Sequence, residues 1–169
     1  MERPIRSKAV SERQNLAEFL DYQRATILLK THGLDSTQAA TRSVTPSTLT
    51  LAGIVKHLAW VEDHWFQWIF NGVDTIEPWA SAPFDQDRDW EFNTARDDDI
   101  ADTRILYEQA CERSRRVYEG AGLDDLSVGM RDNEPFSMRW IMLHMIEETA
   151  RHAGQADLLR EAIDGETGQ

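Results

Sequence analysis

Residues 137–159 read SMRWIMLHMIEETARHAGQADLL, and their apolar side chains recur at the spacing of an α-helix. One stripe of this segment, stepping by three or four residues, is apolar at every position except two. That stripe consists of Ile141, Met145, Glu148, His152, Ala156, Leu159 and Ile163. The spacing predicts a long helix that begins at Ser137, after Pro135-Phe136, and ends near Gly165.

Two segments nearer the N-terminus have the same period. The first begins near Ser11, a suitable N-cap, and runs to about His32, where Gly33 offers a stop. The second begins after Pro46-Ser47-Thr48 and ends near Phe70. Its apolar residues lie around much of the circumference, so we expect it to be the most buried helix.

A further helical segment lies between about Asp99 and Gly120, with three residues predicted to face inward: Leu106, Ala110 and Val117. We see no strand-like alternation between the four segments. The predicted fold class is therefore all-α, a four-helix bundle with either up-and-down or crossover connections. A chain of 169 residues is of ordinary size for one domain, so we expect residues 1–169 to form a single domain.

The long connection (residues 72–98) joins the second and third helical segments and is acidic and aromatic. A loop of this length is usually functional or packed down by its own side chains. Its aromatic residues could therefore cover a site or simply anchor the loop, and the sequence leaves both open. They are Trp79, Phe84, Trp90 and Phe92.

The composition excludes several classes of partner. The formal net charge is −12, from 18 basic and 30 acidic residues, and no basic run exists that could bind nucleic acid or anionic lipid. The single cysteine, Cys111, fits a reducing compartment, and its mid-helix position indicates a structural role. No signal-peptide core or membrane-length apolar run is visible, so we expect a cytoplasmic protein without a membrane partner.

Three residues of the last helix can ligate metal: His144, Glu148 and His152. The two histidines are roughly 12 Å apart along the axis, at ~1.5 Å per residue, so they cannot easily share one ion. Glu148 and His152 lie on the apolar stripe, where a carboxylate is costly unless it is paired or ligates a metal. His144 lies on a polar border with Trp140, Glu147 and Arg151. We therefore favour Glu148 and His152 as one pair of ligands.

A third ligand has to come from another helix. His57 lies in the middle of the second segment among apolar residues, and His64, two turns further on, is the competing candidate. Three protein ligands leave coordination positions open, as in catalytic zinc sites. The plainer alternatives are a hydrogen-bonded core histidine at His57 and a pairing of Glu148 with a buried arginine.

Two motifs resemble those of the DinB-like superfamily: TLAGIVKHLAWVE at residues 50–62 and HMIEETARHAGQ at residues 144–155. This superfamily includes thiol S-transferases and the N-terminal domain of mycothiol-dependent maleylpyruvate isomerase. The amino-acid sequence of the two motifs is similar to that of an actinobacterial branch. The resemblance implies a metal held by His57, Glu148 and His152. Many members have His at the middle place, whereas the isomerase branch, like this chain, has Glu. That set suits Zn²⁺, with Ni²⁺, Fe²⁺ and Mn²⁺ as alternatives.

The resemblance implies a divalent-metal-dependent thiol S-transferase, with a low-molecular-weight thiol of the mycothiol type as co-substrate and an electrophile as second substrate. Two alternatives use the same ion: a hydrolase that activates water, and a non-catalytic stress-response or binding module that the ion stabilises. The resemblance also makes a homodimer an expectation. No general base is assigned, and His64 and His144 are the candidates.

Overall fold

The computed structural model describes residues 2–167, which form a mostly helical fold. Helix α3 continues without interruption into a π-helix, and a short 3₁₀ turn follows α4. The elements in chain order are α1 Glu12–Lys30, α2 Ser36–Ala39, α3 Leu51–Glu62, the π-helix Asp63–Phe70, α4 Trp90–Thr94, the 3₁₀ turn Ala95–Asp97, α5 Ile100–Gly120, β1 Leu126–Arg131, β2 Glu134–Ser137 and α6 Met138–Asp164.

The four predicted helices are confirmed, and their bounds follow from local capping chemistry. The side chains of Ser11 and Ser137 accept hydrogen bonds from backbone N–H groups in the first turns of α1 and α6. Thr50 caps α3 in the same way. Gly165 ends α6 in the left-handed region at φ 79°, a conformation that costs glycine little.

The two most extensive helix–helix packings are those of α1 against α6 and of α3 against α5. Every residue of α3 is buried except His57 and Trp60, which are half-buried. The prediction that this helix is the most buried therefore holds for α3. The π-helix that extends it is more mixed, since Trp68 is 46% exposed. The two half-buried residues of α3 mark the side on which the candidate site lies.

A β-hairpin between α5 and α6 contradicts the prediction that no strands occur, so the fold is mostly helical rather than strictly all-α. Strands β1 and β2 pair antiparallel, and Asp132 and Asn133 turn the chain at positive φ. The apolar alternation of β1 is inverted, because Ser127 is buried while Leu126 and Val128 are more than 60% exposed. A strand whose apolar residues face solvent and whose buried residue is polar lacks the pattern by which a strand packed on a core is predicted.

The π-helix and the orientation of α5 also differ from expectation. Helical periodicity does not distinguish an α-helix from a π-helix over eight residues, so the change at Asp63 was not predicted. In α5, Ala110 is buried as predicted, whereas Leu106 and Val117 are half-buried at the edge of the core. The buried stripe of α5 consists of Ile100, Thr103, Tyr107, Ala110, Cys111, Ser114 and Tyr118.

A buried ion pair joins α1 to α3. Arg24 donates from Nε and Nη2 to the two carboxylate oxygens of Glu62, at 2.7 and 2.6 Å. Asp21 accepts from Arg24 at 2.9 Å and from Arg115 at 3.0 Å. Cys111 lies beside this pair, with its Sγ 3.8 Å from Glu62 Oε1. The four charged residues, Asp21, Arg24, Glu62 and Arg115, are called the closed ion network below.

Within residues 2–167, no helix is both long and apolar enough to cross a membrane.

Candidate metal centre

The structure brings the three predicted ligands together between α3 and α6. The Nε2 atoms of His57 and His152 each lie 3.3 Å from Oε1 of Glu148. All three candidate ligand atoms lie within 4.8 Å of one another. His57 comes from the middle of α3, whereas Glu148 and His152 lie one turn apart on α6 and so project from the same face. The cluster is mostly shielded from solvent, since the side chains are 17%, 15% and 9% exposed in chain order.

Two of the three separations match what a tetrahedral zinc ion requires. Ligand atoms at 2.0–2.1 Å from a tetrahedral ion are separated from one another by about 3.3 Å. The two distances to Glu148 Oε1 have that value. Three such ligands occupy three corners of a tetrahedron and leave the fourth corner for a water or a substrate.

The hydrogen-bonding pattern of His57 requires positive charge. Its Nδ1 lies 2.8 Å from Oε1 of Glu91, and a carboxylate only accepts, so Nδ1 carries the proton. In a neutral imidazole the Nε2 lone pair then faces the carboxylate of Glu148 at 3.3 Å. Two acceptors at this distance repel each other unless a cation or a second proton lies between them.

The pKa shifts follow from the same geometry. Burial lowers the pKa of His57, but hydrogen bonds to Glu148 and Glu91 outweigh burial and raise it above its usual value. Hydrogen bonds from His152 and His57 hold the pKa of Glu148 well below that of an ordinary glutamate. Both shifts have the same physical cause, the imidazole–carboxylate hydrogen bonds of the cluster.

The alternative partner for Glu148, a buried arginine, is not found in the described part of the chain. Arg151 does approach Glu148 Oε2 at 3.4 Å, but its side chain is 57% exposed. The other salt-bridge partners of Glu148 there are His57 and His152. His152 itself is buried, and its Nδ1 has no hydrogen-bond partner within residues 2–167. The cluster is therefore not neutralised by a guanidinium inside the protein.

The long connection contributes two residues that the sequence interpretation missed as site residues. Glu91 accepts from His57, and its side chain is 5% exposed. The ring of Phe92 stacks on the imidazole of His57, with centroids 4.5 Å apart. Other aromatics anchor the connection, since Trp79 is buried and Phe84 stacks on Trp60 at 4.8 Å. The long connection therefore both places an aromatic ring against the candidate centre and is anchored by its own aromatic side chains.

His64 and His144 lie outside the convergent group. His64 lies in the π-helix among tryptophan rings, with centroids 5.0 Å from Trp60 and 4.9 Å from Trp68. Burial, together with nearby His144, lowers the pKa of His64 to about 4. His144 stacks on Trp140 at 5.1 Å, and burial lowers its pKa as well. Both side chains are therefore uncharged at neutral pH, as a proton acceptor must be.

The helical fold and the convergent His, Glu and His side chains define a DinB-like protein with a candidate metal centre. The family model described as mycothiol-S-transferase matches residues 15–165, and the chain belongs to this family. A solved structure described as a conserved protein from Enterococcus faecalis aligns with a TM-score of 0.72 at 15% identity. The alignment covers 94% of this chain and 100% of that chain, and at this identity it shows the fold alone. No curated protein matches the sequence.

Proposed function

We propose that this protein is a metal-dependent thiol S-transferase, with His57, Glu148 and His152 as the ligands of one divalent ion. The observation that carries the proposal is the convergence of these three ligand atoms within 4.8 Å. It occurs in a chain that belongs to the mycothiol-S-transferase family. We infer from the family that the co-substrate is a low-molecular-weight thiol of the mycothiol type.

The donor set supports zinc as the ion. Two imidazole nitrogens and one glutamate oxygen hold zinc in several hydrolytic enzymes, with the fourth position open to a reactant. The same set with open positions also occurs at iron(II) centres, and imidazole suits nickel. The fit to zinc rests on the two 3.3 Å separations and on the carboxylates of Glu91 and Glu148, which face the imidazoles.

An ion at this position would supply positive charge that lowers the pKa of a thiol from its usual ~8.5. In the transfer, the thiol sulfur forms a bond to an electrophilic carbon, the bond from that carbon to its leaving group breaks, and the thiol proton is released. Phe92 covers one face of His57 and keeps water from that side. His144, one helical turn before Glu148 and uncharged at neutral pH, is our candidate acceptor of the proton.

We also infer that the four long helices form one four-helix-bundle domain, because the α1–α6 and α3–α5 pairs contact each other through α3 and α6. The buried free Cys111 is compatible with a reducing compartment such as the cytoplasm. A homodimer is a further proposal, which light scattering of the purified protein tests directly.

The direct test is transfer of mycothiol to monobromobimane, a fluorogenic electrophile that loses bromide. We expect adduct formation above the uncatalysed rate when untagged protein, zinc and thiol are all present. The variants His57→Ala and Glu148→Ala should lose this acceleration. Glu147→Ala is the matched control, because Glu147 neighbours Glu148 in sequence but is 62% exposed and pairs with Arg151.

The alternatives give different results in the same assay format. Hydrolysis of ester or amide substrates by the zinc-loaded protein without thiol would favour a hydrolase. Zinc bound with no acceleration for any of several electrophiles, together with strong unfolding on chelation, would favour a metal-stabilised binding module.

A further inference from the structure

Glu91 stands out among the residues around the candidate centre because it lies outside the convergent ligand group and yet is buried. Its Oε1 accepts from His57 Nδ1 at 2.8 Å, on the side of the ring opposite Nε2. Its Oε2 is also buried and has no hydrogen-bond partner within residues 2–167. A buried carboxylate with a single hydrogen bond is costly, so its position needs a cause.

The chain holds Glu91 in place through contacts on both sides of it. Phe92 lies directly over Gly53, where a Cβ would come within 3.1 Å of the Phe92 ring. Lys56, the neighbour of His57, donates to Thr94 Oγ1 at 2.8 Å and pairs with Asp98 at 2.6 Å. Its ammonium also lies 4.4 Å from the centroid of the Trp90 ring. Helix α4 is thus docked on one face of α3, formed by Gly53, Lys56 and His57.

We propose that Glu91 is a positioning residue for the metal centre, an inference that rests on the proposed function. Glu91 holds the proton of His57 on Nδ1 and leaves the Nε2 lone pair directed at the ion. The ion in turn supplies, through the imidazole, the positive charge that offsets the burial of Glu91. Binding of the ion and docking of α4 therefore stabilise each other, because a coupling free energy between two sites is reciprocal.

The chemistry of carboxylate–histidine–metal arrangements gives the expected size of the effect. Loss of a carboxylate that orients a ligating histidine typically weakens metal binding by about 10–100-fold. A glutamine at the same place can still accept from Nδ1–H through its amide oxygen, but it carries no charge. We therefore expect Glu91→Gln to bind more tightly than Glu91→Ala and more weakly than the unaltered protein.

The experiment measures zinc affinity by competition with a chromophoric chelator for the unaltered protein, Glu91→Gln and Glu91→Ala. We expect a loss of about 10–100-fold for Glu91→Ala, a smaller loss for Glu91→Gln, and no change for the exposed control Glu147→Gln. Equal affinity in all four proteins would overturn the proposal. Circular dichroism of each variant confirms that the helices are retained.

A second measurement reports on the proposed cause. Nitrogen-15 NMR of the histidine rings in the zinc-loaded protein should show His57 bound through Nε2 with a slowly exchanging Nδ1 proton. That proton should exchange rapidly in Glu91→Ala. Amide exchange in residues 91–97 should slow on zinc addition in the unaltered protein and much less in Glu91→Ala. A His57 ring bound through Nδ1, or α4 exchange unaffected by zinc, would contradict the role assigned to Glu91.

The outcomes separate this inference from the proposed function. If the unaltered protein binds no zinc, both are wrong. If the unaltered protein binds zinc and both Glu91 variants bind it with the same affinity as the unaltered protein, only the positioning role is wrong. If zinc affinity depends on Glu91 as described but the protein transfers no thiol, the positioning role stands and the proposed reaction is wrong.

Discussion

Helix α3 contributes one residue to each of two clusters of polar side chains, which lie on different faces of the helix. The two clusters differ in how their charge is balanced. In the closed ion network, two arginines face two carboxylates, and Arg24 alone makes two short hydrogen bonds to Glu62. In the imidazole–carboxylate cluster, formed by His57, Glu91, Glu148 and His152, two carboxylates face two imidazoles. The guanidinium at that cluster, Arg151, is more than half exposed.

The difference separates structure from function. A buried carboxylate that is fully paired with a guanidinium needs no further partner, and removing either member leaves an uncompensated charge. A buried cluster with excess negative charge is complete only when a proton or a cation joins it. The closed ion network therefore holds α1 against α3, whereas the imidazole–carboxylate cluster is suited to bind an ion.

The largest effect is expected from opening the closed ion network. Arg24→Met leaves Glu62 buried without its partner, which should reduce the free energy of unfolding by about 3–5 kcal/mol. Urea denaturation followed by circular dichroism measures this. Arg116→Met is the control, because Arg116 is 73% exposed and its change should stay within about 0.5 kcal/mol. A loss below about 1 kcal/mol for Arg24→Met would contradict the assignment.

Zinc binding at the imidazole–carboxylate cluster should increase the free energy of unfolding, whereas opening the closed ion network should decrease it. Zinc at 100 times its dissociation constant should add about 2.7 kcal/mol of stability, or about 5–11 °C in melting temperature. Glu148→Ala should abolish this increase, because it removes one of the three proposed ligands. Differential scanning calorimetry with and without zinc measures the increase, with Glu147→Ala as the control. An undiminished increase in Glu148→Ala would contradict the role of Glu148 as a ligand.

His64 tests a third situation on the same continuous helix, a half-buried ring without a charged partner. Its folded pKa of about 4 lies below the unfolded value of about 6.5, so protons bind preferentially to the unfolded chain. Stability should therefore fall as pH decreases from about 6.5 to 4, by roughly 3 kcal/mol for this residue. Denaturation at several pH values should show a shallower dependence in His64→Gln than in His32→Gln, a control at an exposed residue. Equal slopes would contradict a depressed pKa.

The smallest effect is expected at Cys111, beside the closed ion network. Burial, followed by the nearby Glu62, raises the pKa of this thiol well above its usual value. Cys111→Ala should cost about 1 kcal/mol, and the native thiol should resist Ellman's reagent at pH 8 until urea unfolds the protein. Rapid labelling of the folded protein would show that this network is more open than described.

The parts of the molecule that the sequence predicted are those set by local rules. Helix bounds follow from caps such as Ser11 and Ser137, and the shared face of Glu148 and His152 follows from their spacing of four residues. His57 could be proposed because an imidazole among apolar neighbours needs a partner. That these three bind an ion remains a prediction, although their convergence between α3 and α6 gives it a geometric basis.

The missed features depend on contacts between distant segments. Glu91 reaches His57 only because Phe92 packs over Gly53, and no periodicity in the long connection indicates this. A glutamate between Trp90 and Phe92 in an aromatic loop was the one available signal. The hairpin was missed because Ser127, rather than its apolar neighbours, faces the protein. The sequence therefore indicated the candidate ligands but not the residue that orients one of them.

Metal content tests the central claim most directly. Inductively coupled plasma mass spectrometry of protein purified without a metal-affinity tag should find about one divalent ion per chain. His57→Ala and Glu148→Ala should retain almost none, and Glu147→Ala should retain the full amount. Absence of metal in the unaltered protein after incubation with Zn²⁺, Ni²⁺ and Mn²⁺, or full retention in both ligand variants, would contradict the account.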